Sequence, residues 1–117
     1  MKTVLIVDDS AFMRYMLRRL LSENGFQIIG EATNGKAGVT QYRELHPDIV
    51  TMDVTMDVMN GIEALTKIVG ADPTAKVVMV SSMGQEVIVR DAIIHGAKGF
   101  LLKPFDEKQV LDVLRKL

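Results

Sequence analysis

Val4-Leu5-Ile6-Val7 is apolar without a break, and Asp8-Asp9-Ser10 ends it abruptly. A strand with one wet face alternates apolar and polar residues, whereas an unbroken apolar run belongs to a strand covered on both faces, the usual condition in a parallel sheet. Beyond Ser10, a good N-cap residue, the period changes. Phe12, Met13, Met16, Leu17, Leu20 and Leu21 recur at three- and four-residue spacing until Asn24-Gly25, which predicts a helix.

The same unit of short run and longer helical stretch recurs along the chain. Further apolar runs lie at Gln27 to Glu31, Ile49 to Met52, Val77 to Val80 and Phe100 to Leu102. Helical periodicity follows at Lys36 to Leu45, Gly61 to Val69 and Gln85 to His95, stopped by Pro47, Gly70 and Gly96, and the last helix carries Val110, Val113, Leu114 and Leu117. Alternation of this kind predicts an α/β domain with a parallel sheet and helices on both faces.

At 117 residues, 48% apolar and 25% charged, the composition is that of one globular domain spanning 1–117, with no repeat, linker or low-complexity stretch. Fourteen Lys and Arg against 15 Asp and Glu leave a net charge of −1, which offers no broad attraction to nucleic acid or anionic membrane. Four apolar residues after Met1-Lys2-Thr3 are far short of the roughly 20 needed for a membrane span, and no signal peptide is expected. The absence of cysteine rules out disulfides and thiolate metal sites, and is compatible with a reducing cytoplasm.

Helices can cover both faces of a five-stranded parallel sheet only if the strand order reverses once, and ligands bind at that reversal, beside the strands' carboxyl ends. The polar residues of interest fall at those ends: Asp8 and Asp9 after the first run, Asp53 after the third, Ser81 and Ser82 after the fourth, Lys103 after the fifth. Three converging carboxylates repel by roughly 4 kcal/mol per pair at about 4 Å. Either one takes up a proton or a divalent cation sits among them, and oxygen-only donors suit a hard ion such as Mg²⁺. Asp8-Asp9-Ser10 also serves as a plain cap for the first helix, a reading the sequence leaves open.

Asp53 closes an apolar run with no evident helix to cap, and a carboxylate beside a cation is a competent nucleophile toward a phosphoryl group. Charge spreading over phosphoryl oxygens calls for a hydroxyl donor and an ammonium, which Ser81 and Lys103 supply. With strands in the order 2-1-3-4-5, Lys103 lies two strands from Asp53, about 10 Å, a gap that its side chain plus a phosphoryl group can close. Lys103 equally serves to neutralise the acids.

Taken in order, Asp8-Asp9, Asp53, Asn60-Gly61, Ser81 and Lys103-Pro104-Phe105 closely resemble the conserved positions of response-regulator receiver domains, and the resemblance covers the whole chain. Ala11-Phe12-Met13-Arg14, Glu31-Ala32-Thr33-Asn34-Gly35 and Ser81-Ser82-Met83-Gly84-Gln85 are most similar to the chemotaxis branch of that family. The resemblance implies a flavodoxin-like, doubly wound (βα)5 fold with strand order 2-1-3-4-5. It implies that Asp53 is the phosphoacceptor, with Mg²⁺, or Mn²⁺ as a substitute, held by Asp9 and Asp53 directly, by Asp8 through water, and by the Thr55 backbone carbonyl. Ser81 and Phe100 become the switch pair, remodelling the face of helix four, strand five and helix five, and Pro104 follows a cis peptide. The protein so implied is not an enzyme in the ordinary sense. It is a cytoplasmic, monomeric phosphoacceptor with autocatalytic phosphotransfer and autodephosphorylation only. Its partners are a histidine kinase, a downstream target such as the flagellar motor switch, and a phosphatase, with no direct nucleic acid and no membrane insertion.

One position departs from the family. The loop after Asp53 reads Met56-Asp57-Val58-Met59-Asn60-Gly61, with Asp57 where proline is usual. Asp57 frees the loop, restores an N–H donor and adds a carboxylate near the proposed cation, so it is a candidate modifier of Mg²⁺ affinity or phosphoryl lifetime. It also creates a near-repeat of Thr51-Met52-Asp53-Val54 in Thr55-Met56-Asp57-Val58; Asp53 is preferred as acceptor because it ends the strand and precedes Gly61 by eight residues, the family spacing. On helix four, Ile88, Val89, Ala92 and Ile93 share one side, leaving Val87 and Ile94 outward as a candidate partner face with Phe100. Most of the methionines are read as core filler, and His46 and His95 lie outside the acidic cluster.

Three other readings remain at this point. The chain is a receiver cut from a larger regulator, a haloacid-dehalogenase-type phosphatase, or a flavodoxin-like electron carrier. The phosphatase needs Asp-x-Asp where this chain has adjacent acids, and the electron carrier needs a phosphate loop that Asp8 and Asp9 would repel.

Overall fold

The computed structural model describes residues 1–117. Strands and helices alternate from β1 (Thr3–Val7) and α1 (Ala11–Ser22) through β2 (Gln27–Ala32), α2 (Gly35–Leu45), β3 (Ile49–Asp53), α3 (Gly61–Ala71), β4 (Val77–Ser81), α4 (Glu86–Ile94) and β5 (Gly99–Leu102) to α5 (Glu107–Leu114). All strand pairs are parallel and the sheet order is β2-β1-β3-β4-β5. The single reversal therefore lies at β1, between β2 and β3, as the flavodoxin-like arrangement requires.

The unbroken apolar runs have a simple origin. Alternate residues of one strand enter different cores: Val4 and Ile6 pack toward α1 and α5, with Leu17, Leu21, Val110 and Leu114, while Leu5 and Val7 pack toward α2, α3 and α4, with Val39, Leu65, Ile68 and Ala92. Edge strand β2 is only partly covered. Four helix starts are capped by side chains, Ser10, Asn34, Asn60 and Asp106 each accepting a backbone N–H from the first turn, and α4 alone begins without such a bond. No helix is long and apolar enough to cross a membrane.

Two apolar residues depart from their expected or periodic placement. Ile93, grouped with the inward side of α4, is 57% exposed. Ala92 is the one fully buried residue of α4, and Ile93 is turned about 100° from it, beyond the narrow strip that touches the sheet. Phe12 shares the apolar spacing of α1 yet stands in solvent, because it is turned roughly 140° from Leu17, whose side faces the core.

The loop from β3 to α3 is tightly built. Val58 and Met59 both adopt left-handed backbone, at φ 33° and 69°, a conformation that a β-branched residue resists. At its end the Gly61 N–H donates to the Val54 carbonyl (2.9 Å), and any Cβ on Gly61 would collide with the Asp53 carbonyl oxygen. The missing side chain lets the start of α3 lie directly behind Asp53.

Candidate functional site

Register alone gathers the acids. Val7 pairs with Met52 and Asp53 with Val80, so Asp8, Asp53 and Ser81 follow one another across β1, β3 and β4 at the carboxyl edge of the sheet. Asp8, Asp9 and Asp53 each offer a carboxylate oxygen within 4.8 Å of the other two. Asp8 is 2% exposed and Asp53 6%, whereas Asp9 reaches into solvent.

Lys103 comes from the far side of the sheet. Its backbone N–H donates to the Ser81 carbonyl (2.7 Å), fixing the end of β5 to β4, and a cis peptide joins it to Pro104. Its Nζ lies 3.1 Å from Asp8 Oδ2 and 3.5 Å from Asp53 Oδ1. The side chain thus closes the gap from β5 without needing a phosphoryl group to bridge it. One ammonium against three carboxylates leaves an excess of negative charge. Burial foremost, then the Asp8 charge, push the Asp53 carboxyl up to about 6; Lys103 pulls it down and Asp9 raises it further.

Ser81 is buried, and its Oγ accepts the Met83 N–H at 2.9 Å, leaving its own hydrogen to donate. Ser82, beside it, is exposed. Phe100 is half-buried against the α2/α3/α4 core. Val87 and Ile94 face outward on α4, and Ile93 joins them. Thr55 is exposed in the loop after β3; Asp57 is exposed too, outside the three carboxylates that converge.

Sequence reasoning passed over two residues that touch this site. Arg14, one turn into α1, donates from a guanidinium nitrogen to the Asp8 backbone carbonyl (2.8 Å), and its Nε lies 3.3 Å from Glu31 Oε1 on β2. Glu31 Oε2 in turn accepts Arg18 Nε at 2.7 Å. The signal was faint: a basic residue six positions after Asp8 says nothing of a carbonyl acceptor until β2 is placed beside β1.

Oxygen donors only, two of them nearly dry, one raised in pKa, and a single lysine too few to balance them make a pocket that fits a hard divalent cation. Residues 4–115 match the sequence model of the response regulator receiver domain. The chain belongs to that family.

Among its relatives, this receiver domain is 52% identical to the chemotaxis protein CheY of Thermotoga maritima over 116 residues, which cover 99% of this chain and 97% of that protein. It is 50% identical to CheY of Bacillus subtilis over 113 residues, covering 97% and 94%. In structure it superposes on a chain of the CheX–CheY–BeF3–Mg²⁺ complex from Borrelia burgdorferi with a TM-score of 0.96, at 41% identity over 98% of this chain and 87% of that one. The response regulator domain of Thermotoga maritima CheB gives 0.87 at 37% identity, covering 98% and 91%. Receiver domains are phosphoacceptors that bind Mg²⁺ at an acidic pocket, and the phosphatase and electron-carrier readings give way to this assignment.

Proposed function

We propose that this receiver domain is a chemotaxis-type response regulator, phosphorylated on Asp53 by a histidine kinase. One observation carries the reading: the nearly buried Asp53 carboxylate stands among Asp8, Asp9 and Lys103, with the Ser81 hydroxyl on the next strand.

A carboxylate oxygen of Asp53 attacks the phosphorus of a phosphohistidine; the O–P bond forms as the N–P bond breaks, and the imidazole nitrogen leaves with the electron pair. Lys103, already 3.5 Å from Asp53, stays beside the acyl phosphate and offsets its charge. Ser81 gives its O–H to a phosphoryl oxygen. Asp8, Asp9, Asp53 and the Thr55 carbonyl would hold Mg²⁺, with Mn²⁺ as a substitute, and the ion supplies neutralisation of the phosphoryl oxygens when bound. Movement of Ser81 toward the phosphoryl group draws Phe100 inward and reshapes the α4/β5/α5 face, where Val87 and Ile94 meet a target such as the flagellar motor switch. Residues 1–117 act as one cytoplasmic, monomeric domain that sheds its phosphoryl group by self-catalysed hydrolysis or with a phosphatase.

Incubation with acetyl phosphate and Mg²⁺, followed by intact-mass measurement, tests the reading. Wild type and Asp57→Asn gain one phosphoryl group; Asp53→Asn gains none. A label that survives Asp53→Asn and disappears in Asp57→Asn would move the acceptor to the second copy of the near-repeat.

A further inference from the structure

Asp8 and Asp9 are neighbours in sequence but are held very differently. The Asp8 carboxylate takes the Ser10 N–H at 2.9 Å and Lys103 Nζ at 3.1 Å. Asp9 reaches the pocket on the strength of its backbone alone, so the direction of its side chain depends on the peptide that joins it to Asp8.

The backbone on both sides of the Asp8 Cα is framed from β2. The Asp8 N–H donates to the Ala32 carbonyl at 3.0 Å, as the last rung of the β1/β2 ladder. The Asp8 carbonyl lies past the ladder and is taken by Arg14 at 2.8 Å. Arg14 is itself anchored on Glu31, the residue before Ala32, and the Glu31 backbone carbonyl accepts Gln41 Nε2 at 2.8 Å. The end of β2 therefore grips the two peptides that flank the Asp8 Cα, Val7–Asp8 directly and Asp8–Asp9 through Arg14. The guanidinium reaches the carboxylate and the carbonyl from two nitrogens fixed in one plane, and the Arg14 side chain is partly buried, at 17% exposed.

We infer that Arg14 is a positioning residue: anchored on Glu31, it holds the Asp8–Asp9 peptide so that the Asp9 carboxylate stays within the cation pocket. The inference rests on the reading that Asp8, Asp9 and Asp53 hold Mg²⁺. Its opposite is a purely electrostatic role, and the two differ in sign. Removing a cation near three carboxylates strengthens Mg²⁺ binding by Coulomb's law, whereas releasing the peptide weakens it.

The test is calorimetric titration of wild type, Arg14→Met and Arg14→Lys with MgCl2 alone, beside thermal melts of each in EDTA and in excess Mg²⁺. Arg14→Met keeps the aliphatic stem and its packing; Arg14→Lys keeps the charge but loses the fork. Both are expected to bind Mg²⁺ about 10-fold or more weakly than wild type, the usual scale for a residue that orients a ligand. The gain in melting temperature on adding Mg²⁺ shrinks in parallel, a readout that a loss of general stability would leave unchanged. Equal or tighter Mg²⁺ binding by Arg14→Met, or wild-type binding by Arg14→Lys, overturns the inference. A wild type that binds no Mg²⁺ overturns the pocket reading itself, and this inference with it.

Discussion

Replacing Asp53 by Asn should stabilise the metal-free protein at neutral pH, although it deletes an ion pair. Counting contacts predicts the reverse, since Lys103 Nζ lies 3.5 Å from Asp53 Oδ1. The balance is decided by what opposes that contact. Burial at 6% exposure and the charges of Asp8 and Asp9 outweigh one ammonium that is shared with Asp8 at 3.1 Å, and together they raise Asp53 from 3.8 to about 6. Ionised Asp53 then costs the folded state about 3 kcal/mol relative to the unfolded chain. An amide of the same shape removes that cost, a gain on the order of 10 °C in melting temperature for a domain of this size.

The sign fixes the pH window. Because the folded value is the higher one, the folded state binds the proton more tightly, and wild type loses stability as pH rises from about 4 through about 6. Urea denaturation of wild type and Asp53→Asn in EDTA should therefore differ by about 3 kcal/mol at pH 7.5 and by about 0.5 kcal/mol or less near pH 4. Mg²⁺ closes this gap at a hundredfold excess over its dissociation constant, where a ligand stabilises the form that binds it by about 2.7 kcal/mol, and reverses the order at a thousandfold excess, about 4.1 kcal/mol, because Asn forfeits a ligand. Asp53→Asn less stable than wild type at pH 7.5 in EDTA, or a gain of the same size at pH 4, would refute the reasoning.

Other substitutions probe the frame around the site. Thr51 Oγ1 is buried on β3 without a hydrogen-bond partner, its backbone between Ile6 and Val78, so Thr51→Val should raise stability by about 1 kcal/mol in urea denaturation. Val58 sits at φ 33°, where asparagine is easier to place; Val58→Asn should add about 1 kcal/mol by the same assay, and no gain would mean that the loop already relaxes elsewhere. Gly61→Ala drives a Cβ into the Asp53 carbonyl oxygen and should cost about 2 kcal/mol or more, with weaker Mg²⁺ binding by calorimetry, because the backbone that carries the Asp53 carboxylate must shift.

What the chain spells out along its length is strand, helix and strand end. Val4 to Val7, Ile49 to Met52 and Val77 to Val80 advertise doubly covered strands, and the residues just after them, Asp8, Asp53 and Ser81, stand out because an apolar run stops at a polar side chain. Lys103 is legible on the same ground. The order of strands came from family resemblance, since periodicity says which residues are buried but not which strand lies beside which.

Three things needed the folded backbone. The exposure of Ile93 depends on how narrow a strip of α4 touches the sheet, and spacing along a helix gives direction but not the width of contact. The left-handed pair Val58-Met59 lies in the loop that brings Gly61 behind Asp53, and it runs against the preference of a β-branched residue. Arg14 became part of the site only when β2 was set beside β1, bringing Glu31 to one side of its guanidinium and the Asp8 carbonyl to the other. Linear sequence determines which groups are dry and where each strand ends, because local periodicity follows burial. Mutual distance between groups dozens of residues apart, and hence their charge coupling, is settled only when parallel pairing fixes the register.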